Sequence, residues 1–199
     1  MATIPLQPAA GETGAIAQPT RGVVGMASLI VAESAIFTIF VVAYLYFAGR
    51  DVQGPRPRDV LEVPIFYTVC LLSSSFFIWL AERAIEHARM AAFRIWWAVT
   101  ILLGLTFLYG TWVEWSKLIF QDHLSIHTNL FGTTYYSLVG LHASHVVIGL
   151  ILMSFVLAFS LLGKVEARHA YNIKVLSMYW HFVDGVWVVV FTVVYVVCR

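Results

Sequence analysis

Three side chains in the run YWHFVDGVWVVVF, residues 179–191, can do more than fill space: Trp180, His181 and Asp184. His181 and Asp184 stand three apart, so a helix places them on one face. The run lies inside a long apolar stretch, 172–198. Four more ionisable side chains occupy similar settings upstream: Glu33, Glu114, His142 and His145. An imidazole or carboxylate at lipid depth is expensive, so each of these must face protein and find a partner. None has the long stem that lets a lysine or arginine reach back to the surface.

Several chemistries fit such a set. The groups can hydrogen-bond one another and fix helix packing, with charge neutralised by pairing or a shifted pKa. Glu33, His145 and their neighbours can instead assist proton handling or lipid binding. His-x-x-His at 142 and 145 can in principle ligate zinc or a two-metal centre. No further ligand follows at matching spacing, however, and carboxylate-rich metal bundles use repeated Glu-x-x-His pairs. Bis-histidine haem ligation needs facing histidines on two helices, and the sequence leaves that open. His87, His123, His127 and His169 fall between apolar runs and are expected to be solvated.

The elements that must position these groups are membrane spans. Hydrophobic residues make up 60% of the chain and charged ones 12%, with a mean hydropathy of +0.83. A soluble domain is nearer half apolar and about a quarter charged. The expected fold is all-α: a polytopic membrane protein of five transmembrane helices in one bundle. The spans are expected at about 22–47, 63–84, 95–117, 131–162 and 175–198. Each is long enough to cross a hydrocarbon core of about 30 Å. Residues 1–21 form an expected flexible tail; 1–20 lack the basic and apolar regions of a signal peptide. The linker at 49–62 contains GPRPRD, whose prolines cannot continue a helix. A net charge of +1 gives no reason to expect nucleic acid as a partner. Cys70 and Cys198 lie in apolar runs and read as buried small hydrophobes.

Five spans put the ends of the chain on opposite sides. One side receives seven basic residues (Arg21, Arg83, Arg89, Arg94, Lys164, Arg168 and Lys174), the other five (Arg50, Arg56, Arg58, Lys117 and Arg199). That bias favours a cytoplasmic N-terminus. At about 1.5 Å per residue, Glu33, His145 and Asp184 reach mid-membrane. His142 and His181 lie a turn away, and Glu114 lies near the outer end of its helix. The expectation is one polar core in which helices one, four and five meet, with Glu33 bonded to a histidine, His145 first.

Four motifs together resemble one family. They are VAESAIFTIFVVAYLYF with Glu33, LGLTFLYGTWVEW with Glu114 and Trp115, FGTTYYSLVGLHASHVVIG with Gly140, His142, His145 and Val146, and YWHFVDGVW with Trp180, His181, Asp184 and Trp187. In order and spacing they resemble subunit III of the haem–copper respiratory oxidases, the cytochrome c oxidase subunit III family. The first span here is similar to the third of longer members, whose two preceding helices form one wall of a lipid-holding cleft. Thr111 stands where many members have Gln, and Gly185 where a bulkier apolar residue is usual. The five-helix length matches bacterial members.

The resemblance implies a multi-pass subunit of the bacterial plasma membrane that carries no redox centre. It would pack against the catalytic subunit I, which with other subunits holds the haem and copper. It would bind structural phospholipid and sustain proton uptake by the complex. The same fold in a quinol oxidase or nitric oxide reductase is the alternative. A small transporter built round the buried carboxylates is a further one, although inverted repeats with broken helices would be expected there.

Overall fold

The computed structural model describes residues 21–48, 50 and 60–198. The expected N-terminal tail, save Arg21, and most of the 49–62 linker lie outside the described residues. Five long helices account for nearly all of the rest: α1 (Arg21–Phe47), α2 (Ile65–Glu86), α3 (Met90–Phe120), α4 (Leu130–Leu161) and α5 (Ala170–Phe191). A 3₁₀ turn, Ala167–His169, precedes α5, and a π-helical turn, Thr192–Val197, extends it. All five are long and apolar enough to cross a membrane. In lipid only a helix satisfies every backbone N–H and C=O within one segment.

The ends of several helices fall outside the expected limits. α3 begins at Met90 and ends at Phe120, against an expected 95–117. The final helix begins at Ala170 against an expected 175. Apolar runs mark the stretch that lipid requires, whereas the helical backbone continues past them at both ends. Arg94 shows how: it lies inside α3 and its Nε donates to Ser160 Oγ of α4 at 3.2 Å. The gap expected between spans 63–84 and 95–117 therefore shrinks to His87–Arg89. It reverses the chain through Ala88 in the left-handed region, φ 55°. α2 starts late because Pro64 occupies its N-cap. The Asn129 side chain accepts from Gly132 N at 2.8 Å and starts α4.

α4 and α5 pack on each other at the centre. α2 lies against α5 and pairs along its length with α3, which in turn packs on α4. α1 sits against α4 and α5 and buries only Phe37 and Tyr44. Small residues set the closest approaches, as expected where lipid supplies no hydrophobic force between helices. A methyl on Gly110 would overlap the ring of Tyr67, and one on Gly149 would lie 2.8 Å from Trp180 Cζ3. The interior is aromatic: Trp97, Trp180, Trp187, Tyr135, Phe93 and Phe107 are all buried. Cys70 and Cys198 are free thiols, half-buried rather than fully buried.

Candidate functional site

The ionisable groups do not meet in one polar core. They divide among separate helix seams, because the centre of the bundle is filled by Trp180, Trp187, Phe107 and Leu150. Each carboxylate finds its partner on a neighbouring helix.

The first seam joins α1 to α4. Glu33 Oε2 lies 3.2 Å from His145 Nε2, and both side chains are largely covered, at 22% and 11% exposure. His145 Nδ1 lies 2.8 Å from Leu141 O. A carbonyl can only accept, so Nδ1 carries a hydrogen and donates. The contact at Nε2 then needs one more proton, held either by the imidazole or by Glu33. The pair is thus a one-proton unit, neutral or ionic depending on which side holds it. Phe37 packs on the ring, with centroids 5.1 Å apart. Tyr179 of α5 donates to His145 O at 3.1 Å and ties this turn of α4 to the final helix.

The second seam joins α2 to α5. Asp184 is buried, and its Oδ2 accepts from Ser75 Oγ of α2. Ser75 Oγ also lies 3.0 Å from His181 Nδ1. A serine has one hydroxyl proton; since it goes to the carboxylate, His181 must donate to Ser75. The result is a directed chain, His181 to Ser75 to Asp184. His181 and Asp184 were both expected to face protein, and here the structure corrects that expectation. Asp184 turns inward, but His181 is exposed at the bundle surface. Residues three apart on a helix are offset by about 60°, enough to put one in the seam and one on its rim. Asp184 Oδ1 has no hydrogen-bond partner among the described residues.

Two tryptophans brace this seam. Trp180 Nε1 donates to Ser74 Oγ at 2.8 Å, and Ser74 Oγ donates onward to Leu71 O at 2.6 Å. Trp187 Nε1 donates to Thr68 Oγ1 at 3.2 Å. Thr68, Ser74 and Ser75 were absent from the sequence reading. The available signal was the run Ser73–Ser74–Ser75 in the middle of an apolar span. Hydroxyls there can bond back to their own helix, as Ser73 does to Cys70 O at 2.9 Å, so the run alone does not show a lateral partner.

The third cluster lies near the far end of α3. Both carboxylate oxygens of Glu114 accept from Tyr195 OH, at 2.8 and 3.0 Å. Tyr135 OH of α4 stands 3.4 Å from Tyr195 OH. Tyr195 belongs to the π-helical turn, a distortion frequent at functional positions. Trp115 packs edge-on against Tyr136, with centroids 5.3 Å apart, and its Nε1 has no partner among the described residues. Nearby, Lys117 pairs with Glu62 at the bundle end.

His142 stands apart from all three. It is fully buried, and neither ring nitrogen has a hydrogen-bond partner among the described residues. Trp187, Phe107 and Phe37 surround it, with ring centroids at 4.9, 5.8 and 6.5 Å. His142 and His145 therefore share Phe37 but part from there, His145 to Glu33 and His142 to Phe107 and Trp187. Among the described residues, no three His, Cys, Asp or Glu side chains lie close enough together to hold a metal ion.

The arrangement can share protons within pairs and join helices. Comparison with known proteins identifies it further. A sequence model described as Cytochrome c oxidase subunit III matches residues 15–198. The cytochrome c oxidase subunit 3 of Thermostichus vulcanus is 32% identical over 184 residues, covering 91% of this chain and 90% of the relative. That of Alkalihalophilus pseudofirmus is 33% identical over 165 residues, covering 82% and 80%. That of a Synechocystis species is 34% identical over 181 residues, covering 89% and 76%. With five spans, the ordered motifs and a match over nearly its full length, this chain belongs to the cytochrome c oxidase subunit III family.

Proposed function

We propose that this chain is the accessory subunit of a bacterial haem–copper oxidase, holding no redox centre itself and stabilising the catalytic subunit that carries haem and copper. The family match over residues 15–198 carries this reading. The exposed apolar surface supports it: α1 displays Val31, Ile39, Val42 and Tyr46, a face suited to lipid or to other subunits. The N-terminus is assigned to the cytoplasm on the basic-residue bias of the loops.

Bound phospholipid belongs to the same proposal. A groove of about 510 Å³ runs between α1 and α5, lined by Phe37, Val41, Phe182, Gly185 and Val189 among others. Beyond its own stretch of helix, no atom of the described residues lies within 4 Å of where a Gly185 side chain would begin. The glycine keeps the groove open to an acyl chain.

The subunit assignment has a direct test. The chain is expected to purify with a large haem-bearing partner. After denaturation and separation of the subunits, haem and copper are expected on the partner. Stoichiometric haem or copper retained on this chain would overturn the proposal.

We assign Asp184 to packing between α2 and α5, and the one-proton Glu33–His145 pair to the support of proton uptake. In Asp184→Asn one oxygen remains to accept from Ser75, and the new amide replaces an oxygen that has no partner. The Asn variant is expected to assemble fully and turn over at a near-normal rate across the pH range. Turnover that falls selectively at high pH in a well-assembled variant would move Asp184 from packing to proton transfer.

A further inference from the structure

We propose that the recess closed by the α2–α3 turn binds the headgroup phosphate of an anionic phospholipid. The recess measures about 370 Å³ and is lined by Trp79, Leu80, Arg83, His87, Arg89 and Trp96 among others. Every ionisable side chain lining it is basic or imidazole. The fold gathers them for a local reason. Arg83 stands on the last turn of α2 and His87, four residues on, is its C-cap, so both lie on one face. Ala88, at φ 55°, then reverses the chain, and Arg89 N bonds back to Ala84 O at 2.8 Å. That closure brings Arg89 to the same mouth.

These cations are available. Among the described residues no carboxylate pairs with Arg83 or Arg89. Glu82 and Glu86, on the same turns of α2, do not line the recess. The Arg83 guanidinium sits over the Trp79 ring, 4.8 Å from its centroid, a contact that steadies the group, and its N–H donors meet no acceptor among the described residues. His87 Nδ1 donates to Arg83 O at 2.8 Å, which fixes the ring.

The surroundings select a lipid over a soluble anion. The recess lies where α2 ends and α3 begins, at headgroup depth, with two tryptophans at its rim as in interfacial aromatic belts. From it an exposed apolar stripe runs down α2 through Trp79, Phe76, Leu72 and Val69, at helical spacing. Phe76 and Trp79 stack with centroids 6.0 Å apart. A headgroup phosphate in the recess places its acyl chains along that stripe. Basic pockets between spans are a known setting for acidic headgroups. The site shares no residue with the α1–α5 groove.

The test uses the isolated membrane complex containing this chain, in neutral detergent, titrated with dioleoylphosphatidylglycerol. Bound lipids are counted by native mass spectrometry. The Arg83→Gln/Arg89→Gln double variant is expected to bind one lipid fewer at low lipid, its affinity at that site falling about thirtyfold for two lost cations. Arg83→Lys/Arg89→Lys is expected to keep the lipid, and Arg168→Gln, at the same end of the bundle but outside the recess, to change nothing. Dioleoylphosphatidylcholine is expected not to fill the site, and inorganic phosphate not to empty it. Unchanged affinity in the double Gln variant overturns the proposal, as does equal filling by phosphatidylcholine. Displacement by inorganic phosphate would mark a site for a free anion. Loss of a protein subunit in place of a lipid would mark an acidic protein contact, and either result overturns the lipid assignment. The readout is the difference in bound lipid between variants that change only this chain, so it fails or succeeds independently of where the haem is found.

Discussion

Trp180→Ala is expected to weaken the bundle by about 3–5 kcal/mol, the usual range for removing a buried large aromatic side chain. Trp180 is fully buried. Its indole is the point at which α5 touches three other helices. A methyl on Gly104 of α3 would lie 3.0 Å from Cη2, and one on Gly149 of α4 2.8 Å from Cζ3. Its Nε1 donates to Ser74 of α2 at 2.8 Å. In lipid the lost apolar burial matters less than in water, because acyl chains are as apolar as the core. What remains is lost dispersion around an unfilled cavity and a lost hydrogen bond. Trp180→Phe, which keeps part of the ring and loses the donor, is expected to fall between the alanine variant and wild type. Unfolding titrations in mixed micelles measure both. A cost below about 1 kcal/mol for the alanine variant would show that the neighbours collapse into the space.

The second large effect is expected at Glu33. Glu33→Ala strands His145 Nε2 in a largely covered seam, at a cost of about 1–3 kcal/mol for an unsatisfied buried group. The damage is expected to be local. α1 buries only Phe37 and Tyr44 among the described residues, and a second hydrogen bond to the bundle runs from Val23 N to Tyr171 OH at 2.9 Å. Without the Glu33 contact, α1 is expected to exchange its amide hydrogens faster than α2 and α3 do in the same sample. Glu33→Gln offers an amide N–H to Nε2 and supplies the donor that the one-proton pair provides. It is therefore expected to keep α1 docked while removing the titratable carboxylate. Equal exchange of α1 in the alanine variant and wild type would show that Glu33 does not anchor the helix. Turnover of the well-docked Gln variant then reports on the proton role alone.

The number, order and length class of the helices were legible from sequence because a span is a local property: about 20 apolar residues must form a helix in lipid wherever they occur. The family was legible for a similar reason, since its motifs are short and ordered along the chain. The Glu33–His145 contact could be expected from depth alone, since two groups entering from opposite ends reach the same level. Depth says nothing about rotation, however, and rotation decided the rest. Asp184 meets Ser75 on α2, Glu114 meets Tyr195 in a π-helical turn, and His142 is enclosed by Trp187 and Phe107. In spans that are apolar nearly all round, no amphipathic stripe marks the inward face. The inward face was set instead by where Gly104, Gly110 and Gly149 let a tryptophan or tyrosine ring come close. Those approaches filled the centre with rings and sent each carboxylate to a different seam, an outcome that exists only once the helices have packed.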